Sequence, residues 1–343
     1  MISLLVINYR SAALAAEAIR SARAASREPL QVVVVDNSCD AAEADPLRGV
    51  ADVLVVSETN RGYAGGINLG RRSCDGNVIV VANPDVIFAA EAIDRLVEQL
   101  NSRTAVAGPA LFWDDAHTWF LPPNDLHTAW EKLDEVLASR SQSWFQSRDR
   151  RRFRARVRFW SLREPEETRA LSGAVMAIRA EDFDAVGGFD ERFALYFEET
   201  DFLRRITEHR KRIVYVPAAK CRHLYNQSAG EAPESAQRFA DSELRYLEKW
   251  NGPSVARLLK RFERSPRSLS FASEKTAIAL DRDDVIIEAS PLASFATAAG
   301  HFPTSRHVVI PDEIHRAYKG DALYLRVVEL SSGRIVELIR IPL

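Results

Sequence analysis

Three cysteines are too few and too scattered for a disulfide framework: Cys39, Cys74 and Cys221 are odd in number and show no CxxC spacing. That usage fits a reducing compartment. No apolar run reaches the roughly 18 residues needed to span a bilayer. The first run, 2–7, lacks the basic flank and long apolar stretch of a signal peptide. A surplus of one charge is missing as well: 46 Lys+Arg against 48 Asp+Glu leave a net charge of −2, which gives no case for nucleic acid. There is no Walker A sequence, and the loop after the first run is not GxGxxG, which argues against P-loop and dinucleotide-binding enzymes. The expectation is a cytoplasmic protein that does not bind nucleic acid and can at most rest on the inner face of a membrane.

What is present is a regular alternation. Over 343 residues, 46% of them hydrophobic, short apolar runs fall at 2–7, 30–35, 53–56, 78–82 and 105–111. Segments of helical character lie between them, at 11–25, 65–72 and 89–101. That alternation predicts βαβ units and a mostly parallel sheet with flanking helices. Residues 114–167 break the rhythm and are rich in charge. A strand over 170–179, a short helix over 181–186 ended by Gly187-Gly188, a helix over 198–209 and a strand over 212–216 follow. A helical stretch over 234–262 is broken at Gly252-Pro253. Beyond Ser265-Pro266 the runs at 276–280, 285–288, 307–310, 323–330 and 334–341 read as a small β-rich domain, with turns at 319–321 and 331–333. The expected domains are 1–264, containing a basic and aromatic insertion over 113–168, and 265–343.

Right-handed crossovers place the loops after the parallel strands along one edge, and open α/β sheets bind ligands there. Four such loops are polar: Asn8-Tyr9-Arg10, Asp36-Asn37, the segment from Asn60 and Arg61 to Gly65 and Gly66, and Asn83-Pro84-Asp85. Four together favour a pocket over four independent turns. Individually each has a plainer reading. Asp85 is either a functional carboxylate or the N-cap of the helix over 89–101, Asp36 either a ligand for a base or ribose or a turn former, and the glycines either a ligand cradle or a helix entry. In the acidic cluster Glu198-Glu199-Thr200-Asp201, carboxylates can serve a helix N-terminus as readily as chemistry.

In order along the chain, Asn8-Tyr9-Arg10, Val35-Asp36-Asn37-Ser38, the run from Asn60 to Gly70 and Asn83-Pro84-Asp85 resemble glycosyltransferase family 2, and most of all its rhamnosyltransferase-like branch. Ser172-Gly173-Ala174, Gly187-Gly188-Phe189-Asp190-Glu191 and Tyr196-Phe197-Glu198-Glu199-Thr200-Asp201 resemble the second half of that family's domain, so the likeness covers about 1–228. It implies a GT-A fold and an inverting hexosyltransferase of cell-envelope polysaccharide synthesis. The donor would be dTDP-rhamnose or a UDP-sugar, and the acceptor a glycan or lipid-linked hydroxyl. Donor contacts would come from Asn8, Tyr9, Arg10, Asp36, Asn60, Arg61, Gly65, Gly66, Asn68, Asn83, Asp85 and Gly173. Asp85 would bind Mg²⁺ or Mn²⁺ as the carboxylate of a DxD-type triplet whose first position here is Asn83.

The family's late histidine is matched by His223, a further metal ligand or a structural or phosphate-contacting residue; imidazole suits Mn²⁺ better than Mg²⁺. The catalytic base matches Glu199, with Glu198 still open as the group that faces the acceptor. The competing readings are a sugar nucleotidyltransferase and a non-catalytic nucleotide- or glycan-binding protein on the same fold.

The stretch 144–160 interleaves arginines with aromatics. It is read as a peripheral membrane contact or as a solvated helix with paired arginines; 257–267 is a weaker basic run. A homo-oligomer is left open.

Overall fold

In the computed structural model the apolar runs become strands, and those at 2–7, 30–35, 78–82 and 105–111 are largely buried. Residues 1–193, 195–224, 233–271, 273–274, 278–318, 320 and 322–342 are described; the turn read at 319–321, part of the run at 276–280 and residues 225–228 fall outside them. The chain divides into two compact units. One comprises Met1–Leu111, Asn124–Leu126 and Arg163–Gly252, the other Phe112–Pro123, His127–Leu162 and Pro253–Leu343.

In the first unit β1 (Ile2–Asn8), β2 (Leu30–Asp36), β3 (Val53–Val56), β4 (Val78–Ala82), β5 (Val86–Phe88) and β6 (Thr104–Phe112) carry the site. The order β3-β2-β1-β4 is parallel throughout. An antiparallel strand, Val175–Arg179, lies between β4 and β6. β1 and β4 are buried along their whole length, as a sheet covered on both faces requires. Ala15, Ile19 and Ala22 of helix Ala12–Ala24 join Leu4, Val6, Val32 and Val80 in the core. On helix Gly62–Arg71, a Cβ at Gly70 would lie 2.3 Å from Leu5 Cδ1 and 2.8 Å from Val35 Cγ2. A Cβ at Gly66 would lie 2.9 Å from Ile7 Cγ2. These two glycines therefore let the helix approach its own sheet.

Chain order matters for the site. From β1 the chain moves outward to β2 and β3, then returns to β4 on the other side of β1. The loops after β1 and β4 thus diverge at a switch point, where such sheets open a crevice. Two expectations change here. The helix read over 89–101 shrinks to Ala92–Val97, and just before it Val86–Phe88 forms β5, which pairs with Cys221–His223 of the strand Arg212–His223. The cap position of that helix is Glu91, so Asp85 is not its N-cap.

The second unit contains the antiparallel strands Val285–Ser290, Ala299–His301, Ala322–Glu329 and Ile335–Pro342. It also holds helices Ala129–Arg140, Gln142–Trp160 and Pro253–Phe262. The basic and aromatic stretch is the second of these helices, and much of it points inward. Phe145, Phe153 and Trp160 are buried. Arg148 and Arg151 meet Asp134 at 3.1 and 2.7 Å, and Arg152 donates to the Ala296 carbonyl at 2.7 Å. Arg156 and Arg326 both meet the fully buried Glu288 at 2.6 Å, and Arg326 also meets Asp149 at 2.8 Å. Burial pulls Glu288 up, but the two guanidiniums outweigh it and hold the carboxyl below its usual range.

Removing the shared acid would take the carboxylate from buried Arg156 and leave Arg326 with Asp149. Glu288→Ala is expected to lose about 3–5 kcal/mol of stability in urea unfolding.

Candidate active site

The site is assembled at the carboxyl ends of β1, β2 and β4, within the first unit. Register sets Asn8 level with Asp36 and Val6 level with Ala82. Asn8 Nδ2 donates to Asp36 Oδ1 at 2.9 Å, and the Ser38 amide donates to the same oxygen at 3.1 Å. Asn8 Oδ1 in turn accepts from the amide and hydroxyl of Ser11 at 3.1 and 3.0 Å. Asp36 is wholly buried, and its Oδ2 has no hydrogen-bond partner among the described residues. A buried carboxylate oxygen without a donor is costly, and a ligand N–H or hydroxyl would satisfy it.

The other residues expected to contact a donor divide in two. Tyr9, Arg10, Asn60 and Arg61 lie toward the surface. Arg10 stands in the left-handed region with its guanidinium 5.5 Å from the Tyr9 ring centre. Asn60 Oδ1 accepts from the Gly62 amide at 2.9 Å, and Asn37 Nδ2 donates to the Gly62 carbonyl at 2.9 Å. Gly65, Gly66 and Asn68 instead make protein contacts. Gly65 lies against Arg61 and Glu191, and Asn68 bonds the Phe189 amide and carbonyl at 2.9 and 2.8 Å. Asn68 therefore ties helix Gly62–Arg71 to the Gly187-Gly188 loop. The Asn83 amide donates to the Ala174 carbonyl at 2.8 Å.

β5 turns Asp85 inward beside His223. The register His223↔Val86 and the Leu224 amide on the Asp85 carbonyl at 3.1 Å fix the pair, with His223 Nε2 3.2 Å from Asp85 Oδ1. Both residues are buried. A carboxylate oxygen and an imidazole nitrogen suit Mn²⁺ and leave coordination positions for substrate oxygens. No group of three or more His, Cys, Asp or Glu that could hold an ion occurs among the described residues. Asp85 and His223 thus fit a cation in donor type as a two-residue set.

The acidic cluster separates by role. Asp201 is wholly buried and engaged by Arg205 at 2.8 Å, Lys249 at 2.6 Å and Trp250 Nε1 at 2.9 Å, so it is structural. Glu198 and Glu199 open helix Glu198–Glu208 directly after Tyr196 and Phe197, two non-glycine residues in succession with φ of 68° and 70°. Such backbone costs about 1–3 kcal/mol per residue and persists only where packing enforces it. Phe197 is held in a cluster with Phe193 and Tyr246.

Burial, then the charge of Glu199, pushes Glu198 well above the carboxylate range, and burial also raises Glu199. Glu199 Oε1 accepts from Asn124 Nδ2 at 3.4 Å and Thr200 Oγ1 at 3.3 Å. A Cβ on Gly173 would lie 3.3 Å from Glu199 Cβ and Cγ. Tyr63 joins the two sides: its hydroxyl donates to the Gly173 carbonyl at 2.9 Å. Burial, then Glu198, Glu199 and Asp85, push its phenol well above its ordinary value. The sequence reading gave no role to Tyr63, although it lies inside a motif, or to Asn124, which sits in the irregular 114–167 segment without any periodic signal.

The model of the glycosyltransferase-like family 2 matches residues 1–243. The chain belongs to that family. A relative, the N-acetylglucosaminyl-diphospho-decaprenol L-rhamnosyltransferase of Mycobacterium tuberculosis, is 25% identical over 246 residues, covering 62% of this chain and 72% of its own. A structure of GalNAc-T7 with UDP, GalNAc and Mn²⁺ has a TM-score of 0.51 at 14% identity, over 72% of this chain and 48% of that one. The mannosyltransferase PcManGT of Pyrobaculum calidifontis, solved with GDP-Man and Mn²⁺, has a TM-score of 0.47 at 17% identity, over 78% and 76% of the two chains. The fold is that of the GT-A glycosyltransferases, with extra C-terminal strands. Among the described residues no helix is long and apolar enough to cross a membrane.

The raised Glu198 carboxyl makes stability depend on pH. A group whose folded pKa lies above its unfolded value stabilises the fold below the unfolded pKa, and that stability is lost as pH rises through the folded pKa. Glu198→Gln should therefore melt higher than wild type at about pH 8, the difference vanishing toward pH 4 in a thermal-shift series.

Proposed function

We propose that this family 2 glycosyltransferase moves a sugar, with inversion, from a nucleoside-diphosphate donor to a hydroxyl of a glycan or lipid-linked acceptor. The donor proposed is dTDP-rhamnose or a UDP-sugar, and the relative's acceptor, a lipid-linked N-acetylglucosamine, suggests cell-envelope synthesis as the setting. The observation that carries the reading is the gathering of Glu198, Glu199 and Asp85 around one buried phenol, Tyr63.

Two neighbouring buried carboxyls do not both ionise readily. Burial raises both acids, so at most one of them ionises readily. The Asn124 amide and Thr200 hydroxyl donate to Glu199 Oε1, which favours its charged form. In this reading Glu199 accepts the proton of the acceptor hydroxyl as its oxygen attacks the anomeric carbon from the face opposite the departing diphosphate. Asp36 Oδ2 and Asn8 hold the nucleoside end of the donor, and Asn83 and Gly173 border the sugar. Mg²⁺ or Mn²⁺ held by Asp85 and His223 would supply charge neutralisation for the leaving diphosphate.

Release of nucleoside diphosphate from dTDP-rhamnose and UDP-sugars, in the presence of a lipid-linked acceptor and Mn²⁺, tests the activity; donor binding without turnover would defeat it. Glu199→Gln should lower kcat by about 10²–10⁴ with donor affinity retained. In wild type the acidic limb of kcat should lie above the ordinary carboxylate pKa of about 4, activity falling as pH drops through it. Asp85→Asn should abolish the gain in donor affinity that Mn²⁺ confers in calorimetry; an unchanged gain would remove Asp85 from the metal site.

A further inference from the structure

The basic stretch at 144–160 pairs much of its charge within the second unit, but another element of that unit presents apolar and basic groups outward. Helix Pro253–Phe262 buries Ala256 and Leu259. Val255, Leu258 and Phe262 are 41%, 56% and 44% exposed. Spacings of three and four residues set these three on one face of the helix, alongside the buried pair. Residues 253–267 carry Arg257, Lys260, Arg261, Arg264 and Arg267 against a single acid, Glu263, in a chain whose net charge is −2.

That acid is engaged by Lys132 at 2.6 Å and Lys260 at 2.7 Å. Arg267 donates to Gln142 and to the Arg140 carbonyl. Arg257, Arg261 and Arg264 are exposed. The far end of the helix is anchored, since Arg140 donates to the Phe262 carbonyl at 3.1 and 3.2 Å and its guanidinium lies 5.3 Å from the Phe262 ring centre. Helix Ala129–Arg140, which supplies Lys132 and Arg140, also carries the very exposed Trp130.

An aliphatic and aromatic stripe bordered by arginines, with its one acid neutralised, is complementary to a negatively charged interface that has apolar depth. We propose that Pro253–Phe262 docks on the surface of an anionic bilayer. Val255, Leu258 and Phe262 enter the headgroup layer, and Arg257, Arg261 and Arg264 meet the lipid phosphates. The proposal stands apart from the sugar-transfer reading, because docking requires neither donor nor acceptor.

The test is co-sedimentation of the full chain with phosphatidylcholine vesicles, with and without phosphatidylglycerol. Wild type is expected to sediment only with the anionic vesicles, and less so as salt rises. Arg261→Glu with Arg264→Glu should weaken binding by at least about fivefold per positive charge removed. Leu258→Asp should weaken it at constant charge on the arginines. Arg150→Glu with Arg154→Glu, on exposed positions of helix Gln142–Trp160, should leave it unchanged. Each substitution is on the surface, and an unaltered melting temperature verifies the fold. The proposal is overturned if wild type ignores anionic vesicles, if the 258, 261 and 264 variants bind like wild type, or if only the 150/154 variant loses binding. It also fails if Leu258→Asp dissolves a dimer of the chain while vesicle binding persists.

Discussion

Parallel pairing of β1 with β2 on one side and β4 on the other is the constraint on which the site depends. With Asn8 level with Asp36 and Val6 level with Ala82, the loops after three strands leave the sheet at one edge. Because side chains alternate between faces, a slip of one residue would send Asn8 and Asp36 to opposite faces and break their bond. The buried Val and Ile of these strands resist such a slip, since every register but this one would expose part of the core. Gly66 and Gly70 add to the restraint by letting helix Gly62–Arg71 rest directly on Ile7, Leu5 and Val35.

On that base the two sides of the candidate site are built by different means. Asp85 is positioned by pairing: the register of β5 with Cys221–His223 brings an imidazole to a carboxylate from more than a hundred residues away. Glu198 and Glu199 are positioned by strain, through two successive left-handed residues that an aromatic cluster holds in place. Tyr63 and Gly173 lie between these two sides, so displacement of either would alter the field of both. Burial then does what a lone carboxylate at a helix start does not, raising both Glu198 and Glu199 above the usual carboxylate range.

The second unit applies the opposite electrostatic rule. Glu288 is as buried as any carboxyl in the first unit, yet two arginines hold it ionised. The same pairing explains why a sequence so rich in arginine over 144–160 makes part of a core. The outward basic face falls instead on helix Pro253–Phe262, where the sequence marked only a weaker run.

Periodic burial leaves its trace in order, so the strand and helix alternation, the mostly parallel sheet, the break at Gly252-Pro253 and the C-terminal strands were legible in the sequence. So were the residues at the strand exits, because a polar triplet after an apolar run stands out without knowledge of its neighbours. Their division of labour was not legible. Whether Asp85 caps a helix or faces His223 depended on the pairing of β5, and whether Gly66 and Asn68 serve a ligand or the protein depended on what lies against them. The separation of the ion-paired Asp201 from Glu198 and Glu199 rested on Lys249 and Trp250, and the place of Asn124 on a loop with no pattern. Local sequence fixes backbone preference and one-sided burial, which are short-range properties. Partners, desolvation and charge balance are set by residues far apart in the chain, and only the tertiary structure decided them.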